Sequence, residues 1–328
     1  MKVAIVGGGG MGRQHLEVYR LMKDVEVVAV VDPDVENVRS LINDDSIAIY
    51  ASLDELLACI KINMVDICAP TYLHCELAIQ AMEQGIHVIC EKPISLTVDE
   101  ASEMNRVAEC NQVQFMVAQV IRFWPEYQHL KQVFDEQTYG TLLQLQMSRI
   151  SPTPHWSWDN WMLNREKSGG CPLDLHIHDT DFILHLLGKP KSVTSIESIT
   201  DGIMDYLSTQ YEYDGMLVQA EAGFYAASIP FTMSFNAVFE KATLQYKNYR
   251  LTTYEHNKEP IVVDVTQSPG ETLEEKKAIQ AVHGYYNEIR YFLDCLNENK
   301  HPSICTPDSS MESLKIVYKE LESAAAQK

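Results

Sequence analysis

Short apolar runs alternate with helical stretches over the first 120 residues of the chain. The runs are rich in valine and isoleucine, which favour buried strands, and they occupy residues 3–6, 25–31, 64–69, 87–90 and 115–120. Between the third and fourth runs, residues 74–85 have helical spacing and stop at Gly85, which suits a helix C-cap. This alternation predicts a parallel sheet joined by crossover helices.

Beyond Pro125 the pattern changes to longer runs in which apolar and polar residues alternate. In one of them Phe231, Met233, Phe235, Ala237 and Phe239 share a face, and polar residues occupy most of the other face. Similar runs lie at residues 141–150, 192–199, 205–213, 216–225, 242–246 and 261–265. They predict a large, mostly antiparallel sheet with helices on its apolar face and an open polar face.

Two helical patterns close the chain, one at residues 286–296 and one from Met311 to Leu321 behind a predicted Ser309/Glu312 capping box. A chain of 328 residues is longer than most single cores, which rarely grow far past about 250 residues. We therefore predict two domains, an α/β domain at residues 1–122 and an α+β domain at residues 123–328.

Composition and charge narrow the partners. The net charge is -20, so the protein repels nucleic acid and anionic membranes, and we expect neither as a partner. No apolar run reaches the roughly 18 to 20 residues of a membrane span, and the N-terminal segment reads as a buried strand rather than a signal peptide. The eight cysteines are scattered without a C-x-x-C pair, so we expect a reducing, cytoplasmic environment.

A glycine motif suggests the cofactor. Gly7, Gly9 and Gly12 follow the first strand with G-x-G-x-x-G spacing, and Met11 lies within the turn. Asp32 ends the second strand 20 residues past Gly12, where a carboxylate accepts hydrogen bonds from ribose hydroxyls. Together they predict a Rossmann domain that binds a dinucleotide, the alternative being a turn that only permits close packing. No basic residue adjoins Asp32, which favours NAD over NADP.

Four further segments carry polar residues that suit a nicotinamide site. Pro70, Thr71 and His74 follow the third predicted strand, and Glu91-Lys92-Pro93 follows the fourth, at the carboxyl edge where such sheets bind ligands. Residues 119–127 include Arg122 at the domain junction, and residues 169–182 read GGCPLDLHIHDTDF.

With these segments the sequence resembles the Gfo/Idh/MocA family, named after glucose-fructose oxidoreductase, inositol dehydrogenase and the rhizopine catabolism protein. The resemblance covers essentially the whole chain and rests on the glycine turn with Asp32, the motifs at 70–74 and 91–93, residues 122–127, and Gly169-Gly170 followed by Asp174 and His178. It implies an NAD-dependent oxidoreductase that transfers a hydride between nicotinamide and a secondary hydroxyl or carbonyl of a sugar, polyol or glycoside.

The resemblance also implies roles for individual residues. The catalytic lysine falls on Lys92, and the catalytic aspartate and histidine fall on Asp174 and His178, four residues apart and thus on one helix face. The cofactor is expected to contact Pro70, Thr71, His74, Glu91 and Arg122, although Arg122 also suits a substrate contact. Tyr286 is expected at the substrate on the strength of the resemblance alone.

One segment departs from the family pattern, because His176 stands where the family often has glycine. For His176, Asp179, Asp181 and His185 three readings remain: groups satisfied in the core or on the helix surface, groups that shape the pocket, and metal ligands. The first is favoured, and a metal site is the least favoured because H-x-H spacing on a helix points two imidazoles in different directions. No metal is expected.

Three tryptophans cluster at Trp156, Trp158 and Trp161, with Arg165 close behind. Aromatic faces pack against the C–H faces of sugars, so these residues are candidate substrate contacts, while anchoring a loop on the sheet is the alternative. Two rival functions remain, an NAD-using glycoside hydrolase of the same superfamily and a non-catalytic NAD-binding regulator. A homodimer or homotetramer through the open sheet face is implied by the resemblance.

Overall fold

The chain folds into two compact units. A computed structural model describes residues 1–200, 204–265 and 269–327. The first unit comprises Met1–Val120 and Ser268–Met311, and the second comprises Ile121–Gln267 and Glu312–Lys328. The sequence pattern placed the first break at residue 122, close to this boundary, but it assigned residues 268–311 to the second domain, whereas the structure groups them with the first unit.

A six-stranded parallel sheet forms the centre of the first unit, with the strand order β3-β2-β1-β4-β5-β6. The strands are β1 Lys2–Val6, β2 Glu26–Val31, β3 Ala48–Tyr50, β4 Met64–Ile67, β5 His87–Glu91 and β6 Phe115–Ala118. Both faces of the central strands are buried, as expected of a sheet covered by helices on both sides. The predicted parallel sheet is confirmed, and β3 is an addition to the five predicted strands.

The helices carry clear start signals. They are α1 Gly10–Tyr19, α2 Val35–Ile42, α3 Leu53–Cys59, α4 His74–Glu83, α5 Val98–Cys110, α6 Pro125–Asp135, α7 Arg165–Ser168, α8 Ile177–Leu187, α9 Leu273–Asn297 and α10 Pro307–Ala325. Capping boxes start α5 at Thr97 and α9 at Thr272. The predicted Ser309 cap is wrong, because α10 begins earlier at Pro307 and the Thr306 hydroxyl accepts the Ser309 N–H at 3.1 Å.

Helix α9 belongs to the first unit because it packs on α1. The Tyr285 ring lies 5.7 Å from the His15 ring, and Arg290 pairs with Asp24 at 2.8 Å. The sequence pattern detected only the half of α9 from residue 286 and missed its charged first turn and residues 278–285. Within the described residues, no helix is both long and apolar enough to cross a membrane.

An eight-stranded sheet forms the second unit, with the order β14-β13-β12-β11-β7-β10-β9-β8. The strands are β7 Leu142–Pro152, β8 Val193–Thr200, β9 Met204–Tyr213, β10 Met216–Tyr225, β11 Thr232–Phe239, β12 Ala242–Lys247, β13 Arg250–Glu255 and β14 Ile261–Val262. Only the central β7–β10 pair is parallel. The predicted α+β unit with a mostly antiparallel sheet is confirmed.

The two faces of this sheet differ as the alternation predicted. Residues of β11 alternate between buried and partly exposed, and its buried face carries Phe235. Helices cover this apolar face: Tyr127 of α6 makes edge-to-face contacts with Phe235 and with Phe182 of α8 at 5.2 and 5.0 Å. The opposite face carries polar residues such as Gln146 and its β10 partner Gln219, both partly exposed.

Candidate active site

The glycine turn between β1 and α1 has no room for larger residues. Gly7 has φ +101°, and a Cβ atom there would lie 2.7 Å from the Cys68 backbone. The backbone that follows the neighbouring strand β4 therefore approaches too closely for a side chain at this position. A Cβ on Gly12 would collide with the Gly7 carbonyl at 1.8 Å. In contrast, a Cβ on Gly9 or Gly10 would meet no atom of the described residues within 4 Å, so the head of α1 is open to a ligand.

This opening fits a pyrophosphate. Helix α1 begins at Gly10, and its N-cap Gly9 has no side chain that could accept a hydrogen bond from the N–H groups of the first turn. Backbone N–H groups in the first turn of a helix have no partner within that helix and, with the helix dipole, favour an anion. Gly9, Met11 and Gly12 therefore supply backbone N–H donors at the start of α1, where the glycines have no side chains that would block a ligand.

Asp32 lies directly after β2 and joins the glycine turn. One carboxylate oxygen accepts the Gly8 N–H at 2.8 Å, and the other accepts the Asp34 N–H at 2.9 Å. These bonds hold the carboxylate at the carboxyl end of the sheet beside the turn. Each oxygen has a further lone pair, so Asp32 fits the role of accepting hydrogen bonds from the ribose hydroxyls of NAD.

His74 connects two loops at the same edge of the sheet. Its Nδ1 lies 2.9 Å from the Pro93 carbonyl, its Nε2 lies 2.9 Å from the Ala69 carbonyl, and the ring is buried. Both ring nitrogens thus face the backbone. The predicted cofactor role of His74 is therefore one of holding Pro70 and Thr71 in place rather than one of direct contact.

Glu91 and Lys92 follow at the end of β5. The Glu91 carboxylate is buried and accepts the Lys92 N–H at 3.0 Å through Oε2, while its Oε1 lies 3.2 Å from Nε2 of His15. Lys92 itself is partly exposed. Glu91 is thus engaged by protein groups at both oxygens, and its side chain fixes the loop from which Lys92 projects.

The second unit positions Asp174 and His178 on a continuous helical segment. A π-helical turn at Pro172–His176 runs into α8, and π turns of this kind occur frequently at functional sites. From Cys171 to Ile183, only Asp174 and His178 are partly exposed, whereas the other residues are buried. The segment therefore offers these two side chains to a ligand and turns the rest inward.

His176 is one of the inward residues. It is fully buried, and its Nε2 lies 3.1 Å from Oε2 of Glu320 in α10 and 3.2 Å from the Tyr211 hydroxyl of β9. Glu320 also accepts the Thr180 hydroxyl at 3.1 Å. His176 thus lies in the core, in line with the interpretation that the sequence favoured, with partners at Nε2 and none at Nδ1 among the described residues. His178 stays the predicted base.

Two buried ion pairs anchor α8. Arg149 of β7 donates to Asp179 at 2.7 Å, and Arg122 donates from Nε and Nη2 to the two oxygens of Asp181 at 2.7 Å each. The Ser313 hydroxyl adds a third bond to Asp181 at 2.7 Å. Because this bidentate pair is buried, the guanidinium of Arg122 serves the helix, and the predicted cofactor contact of Arg122 has no support in this geometry.

The tryptophan loop lies between β7 and α7. Trp156 and Trp158 are 66% and 60% exposed, which is unusual for such large apolar side chains, and Trp161 is partly exposed. Arg165 is committed within the unit: its Nη2 lies 2.7 Å from Glu197 and 3.8 Å from Asp205. The exposed rings are open to a ligand and stay candidate substrate contacts, whereas Arg165 is paired with Glu197 and Asp205 within the unit.

Tyr286 lies in α9 of the first unit and is partly buried, and burial raises the pKa of its hydroxyl.

The motifs did not single out His15, Asp66, Arg149 or Glu320, although each is a buried polar group with a partner in the site elements. Two signals were present: His15 falls on the apolar face of α1 with Leu16 and Tyr19, and Asp66 interrupts an apolar strand.

The geometry of the first unit defines a class of protein. A parallel sheet with a glycine turn after β1 and a carboxylate after β2 is a dinucleotide-binding Rossmann domain. Residues 1–119 match the family model described as an oxidoreductase family with an NAD-binding Rossmann fold, and residues 127–245 match the GFO/IDH/MocA C-terminal domain. The chain therefore belongs to the Gfo/Idh/MocA family, which confirms the predicted resemblance.

Individual relatives are similar over part of their length. A 2,7-anhydro-N-acetylneuraminate hydratase of Mediterraneibacter gnavus is 34% identical over 195 residues, which cover 58% of this chain and 50% of the relative. A D-glucoside 3-dehydrogenase of Escherichia coli is 28% identical over 207 residues, covering 60% and 57%. The chain thus spans about half the length of the curated relatives it matches.

A solved structure matches over the full chain. Levoglucosan dehydrogenase in complex with NADH and levoglucosan has a TM-score of 0.82 and 18% identity, and the match covers 100% of this chain and 98% of the other. At this level of identity the match supports the fold of both units.

Proposed function

We propose that this protein is an NAD-dependent oxidoreductase that transfers a hydride between nicotinamide and a secondary hydroxyl or carbonyl of a sugar, polyol or glycoside. The observation that carries the proposal is the glycine turn at the head of α1, bonded to Asp32 through the Gly8 N–H at 2.8 Å, in a chain of this oxidoreductase family. Relatives named D-glucoside 3-dehydrogenase and inositol 2-dehydrogenase support the substrate class.

The chain's own side chains supply the acid–base chemistry of this proposal. His178 removes the proton of the reacting hydroxyl, Lys92 donates a hydrogen bond to the same oxygen, and Asp174 orients the imidazole. Bound NAD supplies the hydride acceptor at its nicotinamide ring. Partial exposure of Asp174 and His178 within an otherwise buried segment supports their assignment.

The exposed Trp156 and Trp158 provide the substrate side of the proposal. Aromatic rings pack on the C–H faces of carbohydrate rings and leave hydroxyl recognition to polar neighbours. Replacing both tryptophans with alanine should therefore raise KM for a carbohydrate substrate and leave the affinity for NADH unchanged.

A direct assay tests the proposed reaction. The purified protein is examined for co-purified NAD(H), and 340 nm absorbance is then followed with NAD and a panel of polyols, aldoses and glycosides. Substrate-dependent NADH formation supports the dehydrogenase. Release of an aglycone or elimination of water without net NADH formation indicates internal redox cycling. This outcome is relevant because one relative is named a hydratase. Binding of NADH with no turnover of any kind indicates a regulator.

We predict a preference for NADH over NADPH. The Asp32 carboxylate is followed by Pro33 and Asp34 with no basic residue beside it, and negative charge at the end of β2 disfavours binding of a 2'-phosphate. Isothermal titration should give NADH at least about tenfold tighter binding than NADPH. Asp32→Asn should narrow the gap while keeping an acceptor for the Gly8 N–H, and equal affinities in the native protein would refute the assignment.

We also propose that the protein works in the cytoplasm, because its free cysteines suit a reducing compartment.

We further propose that the protein forms a homodimer or homotetramer through the open face of the second sheet. The partly exposed polar face of β7 and β10, with Gln146 opposite Gln219, supports an interface of this kind. Light scattering should give a mass of at least two chains, and a Gln146→Lys/Gln219→Lys variant should shift it to one. A native protein of one-chain mass would exclude this assembly.

A further inference from the structure

A buried cluster of ionisable groups lies beneath the glycine turn. His15 of α1 is fully buried, with Nδ1 2.8 Å from Oδ2 of Asp66 in β4 and Nε2 3.2 Å from Oε1 of Glu91 at the end of β5. Each ring nitrogen thus faces a carboxylate oxygen. Asp66 is also fully buried, so solvent does not compete for these contacts.

Neighbouring elements complete the surroundings of His15. The Tyr19 hydroxyl donates to the same Oδ2 of Asp66 at 2.8 Å, and the Cys68 sulfur lies 3.4 Å from His15 Nδ1. In α9, the Tyr285 ring packs against the imidazole at 5.7 Å. The buried Glu288 carboxylate of the same helix interacts electrostatically with the Tyr19 hydroxyl. Carboxylates therefore outnumber the one basic group in this cluster.

The contacts of His15 bear on its protonation state. Nδ1 forms a hydrogen bond with Asp66, whereas Nε2 lies 3.2 Å from Glu91 as an ion-pair contact without hydrogen-bond geometry, and only the imidazolium places a positive charge beside both carboxylates. Burial alone would lower the pKa of His15, but the charge of Asp66 and its hydrogen bond, together with Cys68, raise that pKa well above its usual value. The contacts and this shift both favour the imidazolium form.

The same atoms would not suit a metal ion. His15, Asp66 and Cys68 together offer three ligand types close to one another. Two ligand atoms on a tetrahedral zinc ion, at bonds of about 2.0 to 2.1 Å, lie roughly 3.3 Å apart. The 2.8 Å separation of Nδ1 and Oδ2 is instead a charge-assisted hydrogen bond.

Glu91 connects this cation to Lys92. Its Oε1 faces His15, and its Oε2 accepts the Lys92 N–H at 3.0 Å, so both oxygens are held by charge or by backbone. His15 itself follows Gly12 by three residues on the helix that starts at the glycine turn. An ion-pair contact from His15 to Glu91 and the Glu91 hydrogen bond to the Lys92 N–H therefore link the nucleotide-binding helix to the backbone of Lys92.

We propose that His15, as an imidazolium bridging Asp66 and Glu91, is a positioning residue that couples helix α1 to Lys92. Without this cation, two buried carboxylates would lose their common counter-charge, and Glu91 would lose the contact at Oε1 that helps to fix its side chain. The catalytic consequence rests on the proposed function, in which Lys92 contacts the reacting oxygen. The protonation and the coupling do not depend on it.

Nitrogen NMR of histidine-labelled protein tests the protonation without turnover. Both ring nitrogens of His15, assigned by their loss in His15→Gln, should report the imidazolium at pH 7. His301→Gln is the matched control, because His301 is exposed and distant in sequence from the site segments. A neutral His15 ring at pH 7 overturns the proposal, and a chelator-sensitive signal that identifies a bound metal overturns it as well.

Two variants separate the contacts of His15. The amide nitrogen of asparagine replaces Nδ1 and keeps the hydrogen bond to Asp66, whereas that of glutamine replaces Nε2 and keeps the contact with Glu91. The ¹³C signal of reductively methylated Lys92, assigned by Lys92→Ala, should shift in His15→Asn and return toward its native position in His15→Gln. An unchanged signal in His15→Asn shows that there is no coupling. If His15→Asn does not fold, Glu91→Gln takes its place, with the same shift expected.

Activity and stability add two readouts. If the dehydrogenase assay succeeds, His15→Asn should lower kcat at least about tenfold with little change in KM for NAD, and His15→Gln should recover much of the loss. Because the folded-state pKa of His15 is raised, its stabilisation is complete below the unfolded pKa of about 6.5 and is lost as the pH rises through the folded pKa. The gap in Tm between native protein and His15→Gln should therefore shrink from pH 6 upward, and a gap that widens contradicts the buried cation.

Discussion

Replacing Lys92 with alanine is expected to lower turnover at least about a hundredfold, and His178→Ala to have a similar effect. Lys92 projects from a loop that Glu91 and His74 fix from both sides, and His178 is one of two partly exposed groups in an otherwise buried helical segment. Side chains held in this way, if they act in the transition state, affect kcat more than substrate binding.

The measurement is kcat and KM by NADH formation at 340 nm, with NADH affinity measured by fluorescence in parallel. Lys92→Arg keeps the positive charge but not the compact ammonium, so it should remain strongly impaired. Lys61→Ala, at an exposed position of the same unit, is the matched control and should behave like the native protein. Near-normal kcat in Lys92→Ala or His178→Ala would remove that residue from the proposed chemistry.

The fold could be predicted from the sequence where the pattern is long and regular. The alternation of apolar runs and helices specified the parallel sheet, and the period-two pattern around Phe235 specified the second sheet. Short or polar elements were missed. Strand β3 has only three residues. In β13 buried and exposed residues do not alternate regularly, because its burial depends on pairing with β12. Helix α9 was half missed: its first turn is charged, and residues 278–285, which include the buried Ile279, were not recognised as part of the helical pattern.

The site was predictable where chemistry depends on neighbours in the sequence. The glycine turn, Asp32 and the motif around Lys92 could be located because each follows a strand that ends at one edge of the sheet. The partners of buried polar groups were not predictable, since they come from distant segments. The sequence left open whether Asp181 lies on a helix surface or in the core, and its partner Arg122, 59 positions away, could not be predicted.

The interior of the second unit leads to the other large effect. Arg149 is 2% exposed and Asp179 is fully buried, and the guanidinium donates to the carboxylate at 2.7 Å. Burial opposes the charge of Arg149, but Asp179 raises the pKa of the guanidinium, so the side chain remains ionised. Removing one partner of such a pair leaves the other charge desolvated and uncompensated.

Arg149→Met is therefore expected to lower the free energy of unfolding of the second unit by about 3 to 5 kcal/mol. Lys131→Met is the matched control, because Lys131 forms an ion pair with Asp135 near the surface of α6, and such pairs contribute about 0 to 1 kcal/mol. Urea unfolding followed by the fluorescence of Trp156 and its neighbours reports this unit.

The double variant Arg149→Met/Asp179→Leu separates the two explanations of such a loss. If the destabilisation comes from an uncompensated buried carboxylate, removing both charges should recover most of it, because apolar residues of similar volume replace buried ion pairs at little cost. If the double variant is as unstable as Arg149→Met, packing around β7 accounts for the loss instead. NADH affinity, which belongs to the first unit in the proposed function, should stay unchanged in both variants.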